Sequence, residues 1–322
     1  MEVLQGWGIQ FIQNLQLLSP ALDPYMDFFT FLGKIEFYLL FITFIYWIVD
    51  ARLGFRVFVV LLSTDILGMA FKHLFRQPRP YWIGDVKHMG HVETSYGIPS
   101  THASDSLSVW TYSAYQARKR WLWVTATATI LLISFSRMYL GVHFPHDIGG
   151  GWIIGFVVLF LFITYEKRIA NWLNVKPEIY QIWIGFVSSL VFIVIGLIVR
   201  LGIAPIPDSE SWAHLSTEAR SLTSYFTLAG ALFGATTGFV LMKKVASFQT
   251  QGSWLQKLGR YLVGILGVFI AMYGLDILFG LIAADETILG YILRYIRYGT
   301  TTFWAMFGAP WVYLKLKLAK QK

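Results

Sequence analysis

Three short polar clusters interrupt an otherwise apolar sequence, and their residue types suit one kind of chemistry. The first contains Lys72, Arg76 and Arg79, the second contains Ser100, Thr101 and His102, and the third contains Arg137, His143 and Asp147. Cations, imidazoles and a carboxylate are the groups that phosphoryl transfer uses, because a negatively charged group must be held, attacked and released.

The third cluster contains a candidate nucleophile. His143 and Asp147 are four residues apart, so on a helix their side chains share one face. The carboxylate can then hold one ring nitrogen and leave the other free to attack phosphorus. His102 is a second imidazole that titrates near neutral pH and can protonate a leaving oxygen. Together these residues indicate transfer through a covalent phosphohistidine.

Three cations accompany the histidines. Lys72, Arg79 and Arg137 each bring a positive charge, and the planar forks of the two arginines suit bidentate phosphate binding. A helix that begins just after Pro99 would add free backbone N–H groups and the positive end of its dipole. Three cations could neutralise the transferring group without a metal, so the sequence predicts neither a metal nor another cofactor.

Each of these residues also has a structural interpretation. Lys72 could extend from the end of a membrane span toward water, Arg137 could anchor a span, and Ser100 could begin an ordinary helix. Asp65 and Asp276 lie within predicted spans and could be functional or merely paired with a neighbour. The joint occurrence of the three clusters, rather than any single residue, favours chemistry.

The composition places the chain in a membrane. Of its 322 residues, 56% are hydrophobic and 14% are charged, and the mean hydropathy is +0.56. Soluble domains carry about 25% charged residues, so a cytosolic enzyme, a disordered chain and a secreted disulfide scaffold are excluded. Cysteine is absent, which excludes thiolate metal sites and a thiol nucleophile. The net charge of +8 indicates basic cytoplasmic loops and not a nucleic-acid partner.

Apolar runs predict an all-α, polytopic transmembrane bundle of about nine spans, since a bilayer core takes roughly 20 apolar residues per helix. The runs are 37–49, 57–71, 106–117, 121–136, 148–165, 179–199, 221–242, 261–284 and 298–314. With the N-terminus outside, most of the 26 basic residues fall on the inner side, which predicts an N-out, C-in orientation. All three polar clusters then lie at the outer face.

Residues 1–30 predict a different kind of element. Apolar residues recur there at helical spacing with Gln and Asn between them, which is typical of an amphipathic helix lying in the membrane interface. An uncleaved first span is the alternative. The predicted domains are therefore an interfacial helix (1–30), a catalytic core of five spans (31–165) and a C-terminal membrane region of about four spans (166–322).

The three clusters resemble the motifs of the type-2 phosphatidic acid phosphatase superfamily. The pattern K-x(6)-R-P, P-S-x-H and S-R-x(5)-H-x(3)-D is met at 72–80, 99–102 and 136–147. The resemblance implies that His143 is the nucleophile, that Asp147 orients it and that His102 is the general acid. It also implies that phosphate is held without a metal by Lys72, Arg79, Ser100, Thr101 and Arg137. The superfamily usually has Gly where Thr101 stands, although threonine can still offer its N–H.

Shorter matches resemble two subfamilies. The P-S-T-H sequence at 99–102 is similar to that of the sphingosine-1-phosphate phosphatases. Nine spans with an outer N-terminus resemble the glucose-6-phosphatases, as do R-P-Y-W at 79–82, H-F-P-H at 143–146 and G-I-Q at 8–10.

The leading functional hypothesis is a metal-independent integral membrane phosphatase that hydrolyses a lipid phosphate monoester or pyrophosphate at the extracytoplasmic face. Its expected partners are the lipid bilayer and a phosphorylated lipid. A soluble sugar phosphate, as in the glucose-6-phosphatases, is the alternative substrate. A transporter and a non-catalytic lipid-binding membrane protein are alternatives of another class. Short loops and the lack of cysteine point toward a bacterial plasma (inner) membrane.

Overall fold

Helices account for 76% of the chain, which confirms the predicted all-α class. The computed structural model describes residues 2–322, and within that range no β-strand forms; one isolated bridge joins Phe248 and Gln321. The chain divides into two compact units. The first comprises Met1–Tyr38, Ser63–Phe162 and Ile198–Ser221, and the second comprises Leu39–Leu62, Ile163–Leu197 and Leu222–Lys322. Every predicted site residue lies in the first unit.

Nine helices lie within residues 2–203, and six of them, α3, α4 and α6 to α9, cover the first six predicted runs. In chain order they are α1 (Glu2–Gln16), α2 (Asp23–Phe31), α3 (Ile35–Phe44, extended by a π-helical turn Ile45–Val49), α4 (Ala51–Phe75), α5 (Pro80–Ile83), α6 (Thr101–Ala117), α7 (Arg120–Tyr139), α8 (Pro145–Asn174) and α9 (Glu178–Ile203). Two 3₁₀ turns, Ala213–Leu215 and Glu218–Arg220, follow α9.

The remaining helices belong to the second unit. They are α10 (Thr223–Val245), α11 (Trp254–Phe269, extended by the π-helical turn Ile270–Gly274), α12 (Leu275–Gly280), α13 (Ile288–Phe303, extended by the π-helical turn Trp304–Gly308) and α14 (Ala309–Lys315). Arg260 of α11 is completely buried, and its guanidinium donates to the backbone carbonyls of Trp47, Gln249, Thr250 and Gln251 at 2.9 to 3.2 Å. These bonds give a buried cation its partners and fix the segment before α11.

Six of the described helical stretches are long and apolar enough to cross a membrane, by length and composition. They are Ala51–Ile83, Arg120–Tyr139, Pro145–Asn174, Glu178–Ile203, Thr223–Val245 and Trp254–Gly280. The pair Asp23–Phe31 and Ile35–Val49, bent by 55°, would make a seventh. Helices also occupy the other two predicted runs: α6 covers 106–117, and the end of α13, its π-helical turn and α14 cover 298–314.

The N-terminal segment differs from its prediction as a single helix. It forms α1 and α2, with turns between them around Ser19 and Pro20. Proline has no N–H to donate and its ring blocks a continuing helix, so the break falls where the sequence places Pro20. α1 keeps exposed apolar residues, among them Val3 and Trp7, while Ile12 on its other side is completely buried.

A tight helical hairpin positions two of the three polar clusters. α6 ends at Ala117. The left-handed backbone of the next residue, Arg118 (φ 55°), turns the chain so that α7 can begin at Arg120. Because the two helices run back along each other, the first residues of α6 and the last residues of α7 lie at the same end. Ser100 and Arg137 are thereby brought to one place from opposite ends of the hairpin.

Candidate active site

Lys72 and Arg79 enter the site from the end of α4 and the start of α5. The ammonium group of Lys72 donates to the carbonyl oxygens of Tyr96, at 2.6 Å, and Gly97, at 3.3 Å. The guanidinium of Arg79 donates from Nε to the Ser95 carbonyl at 2.6 Å and from Nη2 to the Ser95 hydroxyl at 2.9 Å. Both side chains are buried, so the loop before α6 holds two cations in fixed orientations.

His143 and Asp147 form the predicted pair, but not on a helical face. α8 begins at Pro145, so His143 precedes the helix and Asp147 lies in its first turn. Oδ2 of Asp147 lies 3.2 Å from Nδ1 of His143 and accepts the Phe144 N–H at 2.9 Å. The carboxylate thus caps the start of α8 and holds the imidazole with the same oxygen.

The other ring nitrogen of His143 faces the cations. Its Nε2 lies 3.2 Å from Nη1 of Arg79, and that same Nη1 donates to the Val142 carbonyl at 2.8 Å. Burial lowers the pKa of the His143 imidazole well below its usual range, and the charges of Arg79 and Lys72 lower it further. The ring is therefore neutral near pH 7, which is the state a nucleophile requires.

The start of α6 supplies Ser100, Thr101 and His102. Ser100 is the N-cap of α6: its hydroxyl accepts the Ala103 N–H at 3.4 Å, and its own N–H donates to the Asp147 carbonyl at 3.0 Å. Thr101 fits beside α4 because Gly68 has no side chain; a Cβ there would lie 2.9 Å from the Thr101 methyl. The side chain at position 101 is therefore accommodated by α4.

His102 packs against the bend between α2 and α3. A Cβ on Gly33, in this bend, would lie 2.8 Å from the imidazole Cδ2, so the backbone passes directly over the ring. Nε2 of His102 is buried and has no hydrogen-bond partner among the described residues. The charges of Arg137 and Glu93 are close enough to act on the ring. The imidazole thus presents an unused nitrogen inside a charged cluster.

Arg137, at the end of α7, completes the set of predicted residues. It is fully buried, its Nη1 donates to the Thr30 hydroxyl at 2.6 Å, and its Nη2 donates to the carboxylate of Glu93. Glu93 also approaches Nη2 of Arg79, at 3.7 Å. Ser95, Thr30 and Glu93 were not predicted as site residues. The loop 76–98 contains two carboxylates, Asp85 and Glu93, and no sequence signal distinguishes Glu93 from Asp85.

A second group of residues, which follows α9 in the chain, contacts the residues that hold Lys72. Asp208 accepts from the Tyr96 hydroxyl at 2.8 Å and from Nε of Arg220 at 3.0 Å, and it pairs with Arg76 at 3.2 Å. Trp212 packs against Trp82, with 5.7 Å between ring centroids. The Tyr96 carbonyl accepts from Lys72, and the Tyr96 hydroxyl donates to Asp208. Asp208 therefore helps to position Lys72 through Tyr96.

Among the described side chains, those of residues 3–322, no group of three or more His, Asp or Glu is arranged to hold a metal ion. The fold and the site together define a polytopic helical membrane protein with a buried, cation-lined histidine site. Two family models match the chain: PAP2 superfamily over residues 53–170, and PAP2 superfamily phosphatase, transmembrane extension, over residues 226–321. The first match spans all eight predicted site residues. The chain belongs to the PAP2 superfamily, which confirms the resemblance seen in the three polar clusters.

Individual relatives agree with this placement. Lipid phosphate phosphatase delta of Arabidopsis thaliana is 25% identical over 59% of this chain and 51% of its own length. Glucose-6-phosphatase catalytic subunit 1 of Canis lupus familiaris is 26% identical over 73% of this chain and 74% of its own. Sphingosine-1-phosphate phosphatase 2 of Mus musculus is 32% identical over 40% of this chain and 38% of its own. The chain thus spans about half the length of the plant relative.

Replacing Gly97 with alanine is expected to misplace the nucleophile. A Cβ at this position would lie 2.7 Å from the Pro78 carbonyl oxygen and 3.2 Å from Oδ2 of Asp147, the atom that orients His143. We expect kcat to fall on the order of 10- to 100-fold, since small displacements of catalytic groups have effects of that size. Gly149→Ala is the matched control, because nothing lies within 4 Å of a Cβ at that helical glycine. Equal kcat values for the two variants would contradict the packing role of Gly97.

Proposed function

We propose that this protein hydrolyses the phosphate monoester or pyrophosphate of a membrane lipid through a phosphohistidine intermediate on His143. The observation that carries the proposal is the orientation of that ring: Asp147 holds Nδ1, while Nε2 faces Arg79 among buried cations. The names of the plant and mouse relatives, a lipid phosphate phosphatase and a sphingosine-1-phosphate phosphatase, support a lipid substrate.

The geometry suits a two-step reaction. In the first step Nε2 of His143 attacks phosphorus; the P–N bond forms while the bond to the leaving oxygen breaks, and His102 donates its proton to that oxygen. In the second step water attacks phosphorus, neutral His102 accepts a proton from the water, and the P–N bond breaks. Inorganic phosphate leaves and His143 is restored. Arg79, Arg137 and Lys72 stabilise the charge that develops on the transferring group.

Two positively charged forks and a helix start would hold the phosphate. Arg79 and Arg137 can each offer two N–H groups to phosphate oxygens. Ser100 and the first N–H groups of α6, including that of Thr101, point the positive end of the helix at the anion. Since these groups supply both charge and hydrogen bonds, the reaction is proposed to need no metal or other cofactor.

We further propose nine spans with the N-terminus outside and the site at the extracytoplasmic face of a bacterial plasma membrane. Residues 1–30 would lie in the interface, 31–165 would form the catalytic core and 166–322 the C-terminal membrane region. The exposed apolar residues Val3 and Trp7 support an interfacial α1. The distribution of lysine and arginine supports the orientation.

A sugar phosphate is the second candidate substrate, and a specific cavity favours it. This cavity of about 350 Å³ adjoins Pro78 and is lined mainly by polar side chains, those of Gln5, Arg76, Gln77, Ser209 and Ser211, together with the indole of Trp212. Amides, hydroxyls and an aromatic ring are groups that bind polyhydroxylated molecules. The similarity to glucose-6-phosphatase catalytic subunit 1 over 73% of this chain points the same way.

A transporter has less support. Of the two carboxylates that suggested one, Asp276 forms an ion pair with Arg297. Such a pair gives an intramembrane carboxylate a structural role.

Phosphate release by the purified protein in detergent, with EDTA present, tests the proposal. The panel contains phosphatidic acid, sphingosine-1-phosphate, a polyprenyl pyrophosphate and glucose-6-phosphate. We expect release from at least one lipid, at the same rate with and without the chelator. Release from glucose-6-phosphate alone would establish the second candidate. Loss of all activity with EDTA would contradict the metal-free reaction.

A further inference from the structure

The carboxylate of Glu93 bridges the two arginines that would hold phosphate. One oxygen accepts from Nη2 of Arg137, and the other lies 3.7 Å from Nη2 of Arg79. Although burial acts to raise it, Arg137 and Arg79 hold the pKa of the Glu93 carboxyl well below its usual range. Glu93 is therefore an anion at any pH near neutrality, bound in the manner expected of a substrate phosphate.

The position of this carboxylate relative to the nucleophile is equally informative. Arg79 turns Nη1 toward Nε2 of His143 at 3.2 Å and Nη2 toward Glu93. One guanidinium thus separates the carboxylate from the attacking nitrogen. A phosphate attacked by His143 must contact the same forks, so Glu93 and the phosphate compete for overlapping donors.

The site is closed around this arrangement. The side chains of Arg137 and His143 are 0% and 1% exposed, whereas that of Glu93 is 27% exposed. Glu93 is thus the outermost of these three groups, and a phosphate arriving from outside meets it first. Buried cations need an anion nearby, because an unpaired buried charge is strongly destabilising. Glu93 meets that need while no phosphate is bound.

Hydrogen bonds from α1, α2 and Tyr81 attach the segment 87–94, which carries Glu93, to the rest of the fold. The Tyr81 hydroxyl donates to the Glu93 carbonyl at 2.9 Å and accepts its N–H at 3.0 Å. Met89 and Gly90 adopt left-handed backbone (φ 46° and 84°), which is unfavourable for methionine. Ahead of them, Gln16 of α1 exchanges two hydrogen bonds with the backbone of Lys87, at 2.6 and 3.2 Å. Replacing these hydrogen bonds by water leaves the buried residues on either side of the segment, Val86 and Tyr96, in place.

We infer that Glu93 is an internal occupant of the phosphate site, which the substrate phosphate displaces by moving this carboxylate and the segment 87–94 outward, while Ser95, Tyr96 and Gly97 keep holding Arg79 and Lys72. The inference rests on the proposed function, because it assumes that Arg79 and Arg137 receive phosphate. Glu93 acts as a built-in competitor: it stabilises the empty site and weakens the binding of every phosphate. When the product leaves, the carboxylate returns to the arginines.

Calorimetric titration of the full-length protein in detergent with inorganic phosphate tests this competition without requiring turnover. We expect Glu93→Gln to bind phosphate at least about 10-fold more tightly than the unmodified protein, since a like charge at the site is removed. Asp85→Asn is the matched control: it makes the same change of charge in the same loop, at an exposed side chain. Its dissociation constant should stay within about twofold.

A second variant keeps the charge and protects the test against misfolding of Glu93→Gln. Tyr81→Phe retains the ring but removes both hydrogen bonds to the Glu93 backbone. It should also tighten phosphate binding, by a smaller factor of about 2 to 5, because the loop is released more easily.

Loop movement can be measured directly, because the chain contains no cysteine. Spin labels on Val92→Cys and Ile153→Cys, both at exposed positions, report the distance between the loop and α8. Saturating phosphate should shift this distance, and Glu93→Gln should show the shifted distance in part before phosphate is added.

The outcomes separate the two proposals. Weaker phosphate binding by Glu93→Gln would mean that Glu93 positions the arginines and would overturn its role as a competitor, as would unchanged binding or an unchanged label distance. Phosphate binding by the unmodified protein supports the proposed function in each of those cases. Absence of binding by both the unmodified protein and Glu93→Gln would overturn both proposals.

Discussion

Replacing His143 with alanine is expected to reduce phosphate release by on the order of 10⁴- to 10⁶-fold, the range seen when a covalent nucleophile is removed. The reason lies in the contacts of the ring: its Nε2 is the imidazole nitrogen beside Arg79 that Asp147 does not hold. The measurement is the steady-state rate on the best substrate of the panel.

The phosphoenzyme gives this prediction a second readout. Rapid acid-free quenching with ³²P-labelled substrate should trap label on the unmodified protein and none on His143→Ala. His214→Ala is a suitable control, since His214 is exposed in the turn after α9. Thermal unfolding of both variants checks that the protein remains folded. Label retained on folded His143→Ala protein would remove the nucleophile assignment.

Replacing His102 with alanine is expected to slow formation of the phosphoenzyme by roughly 100- to 10,000-fold, the usual contribution of general acid catalysis. Nε2 of His102 is buried and has no hydrogen-bond partner in the part of the chain that the structure describes. A protonated imidazole there can donate to the leaving oxygen, and the negative charge of bound phosphate favours that protonated state. Single-turnover kinetics measures the step.

The leaving group distinguishes an acid from a residue that only shapes the site. The p-nitrophenolate released from p-nitrophenyl phosphate is a stable anion and needs little protonation. His102→Ala should therefore lose far less activity on this substrate than on an alkyl phosphate. Because the bend at Gly33 rests on the ring, His102→Gln provides a variant that fills more of the same space. Equal losses on both leaving groups would mean that His102 acts through structure.

The side chains that residue type and spacing grouped together also lie near one another in the fold. His143 and Asp147 meet because the chain between them is short, and Ser100 and Arg137 meet because a two-helix hairpin returns on itself. The form of the His143–Asp147 contact could not be predicted. Pro145 delays the start of α8, so Asp147 reaches back over the helix start instead of sharing a helical face with His143.

The role of Glu93 could not be read from the sequence either. No periodicity links this residue to Arg79 or Arg137, and a charge in a polar loop is usually solvated. Its approach to both arginines depends on the path of the loop 84–98, which Gln16 and Tyr81 fix from other parts of the fold.

The number of membrane spans could not be predicted from hydropathy alone, for a related reason. A stretch such as α6 buries polar residues, among them Ser104, Asp105 and Ser106, against neighbouring helices, so its hydropathy understates its position in the fold. The apolar runs predicted where helices form. Length and composition support six or seven of the nine as spans.

The bonds of Asp208 bear on where the protein could be shortened. The catalytic family match ends at residue 170, and a fragment ending there would contain every predicted catalytic residue. It would lack Asp208, however, and the Tyr96 hydroxyl would lose its acceptor. The same dependence applies during synthesis: the segment that holds Lys72 gains this support only once Asp208, which follows Tyr96 by 112 residues, has been made. A minimal version of this protein should therefore extend through residue 221, where the first compact unit ends.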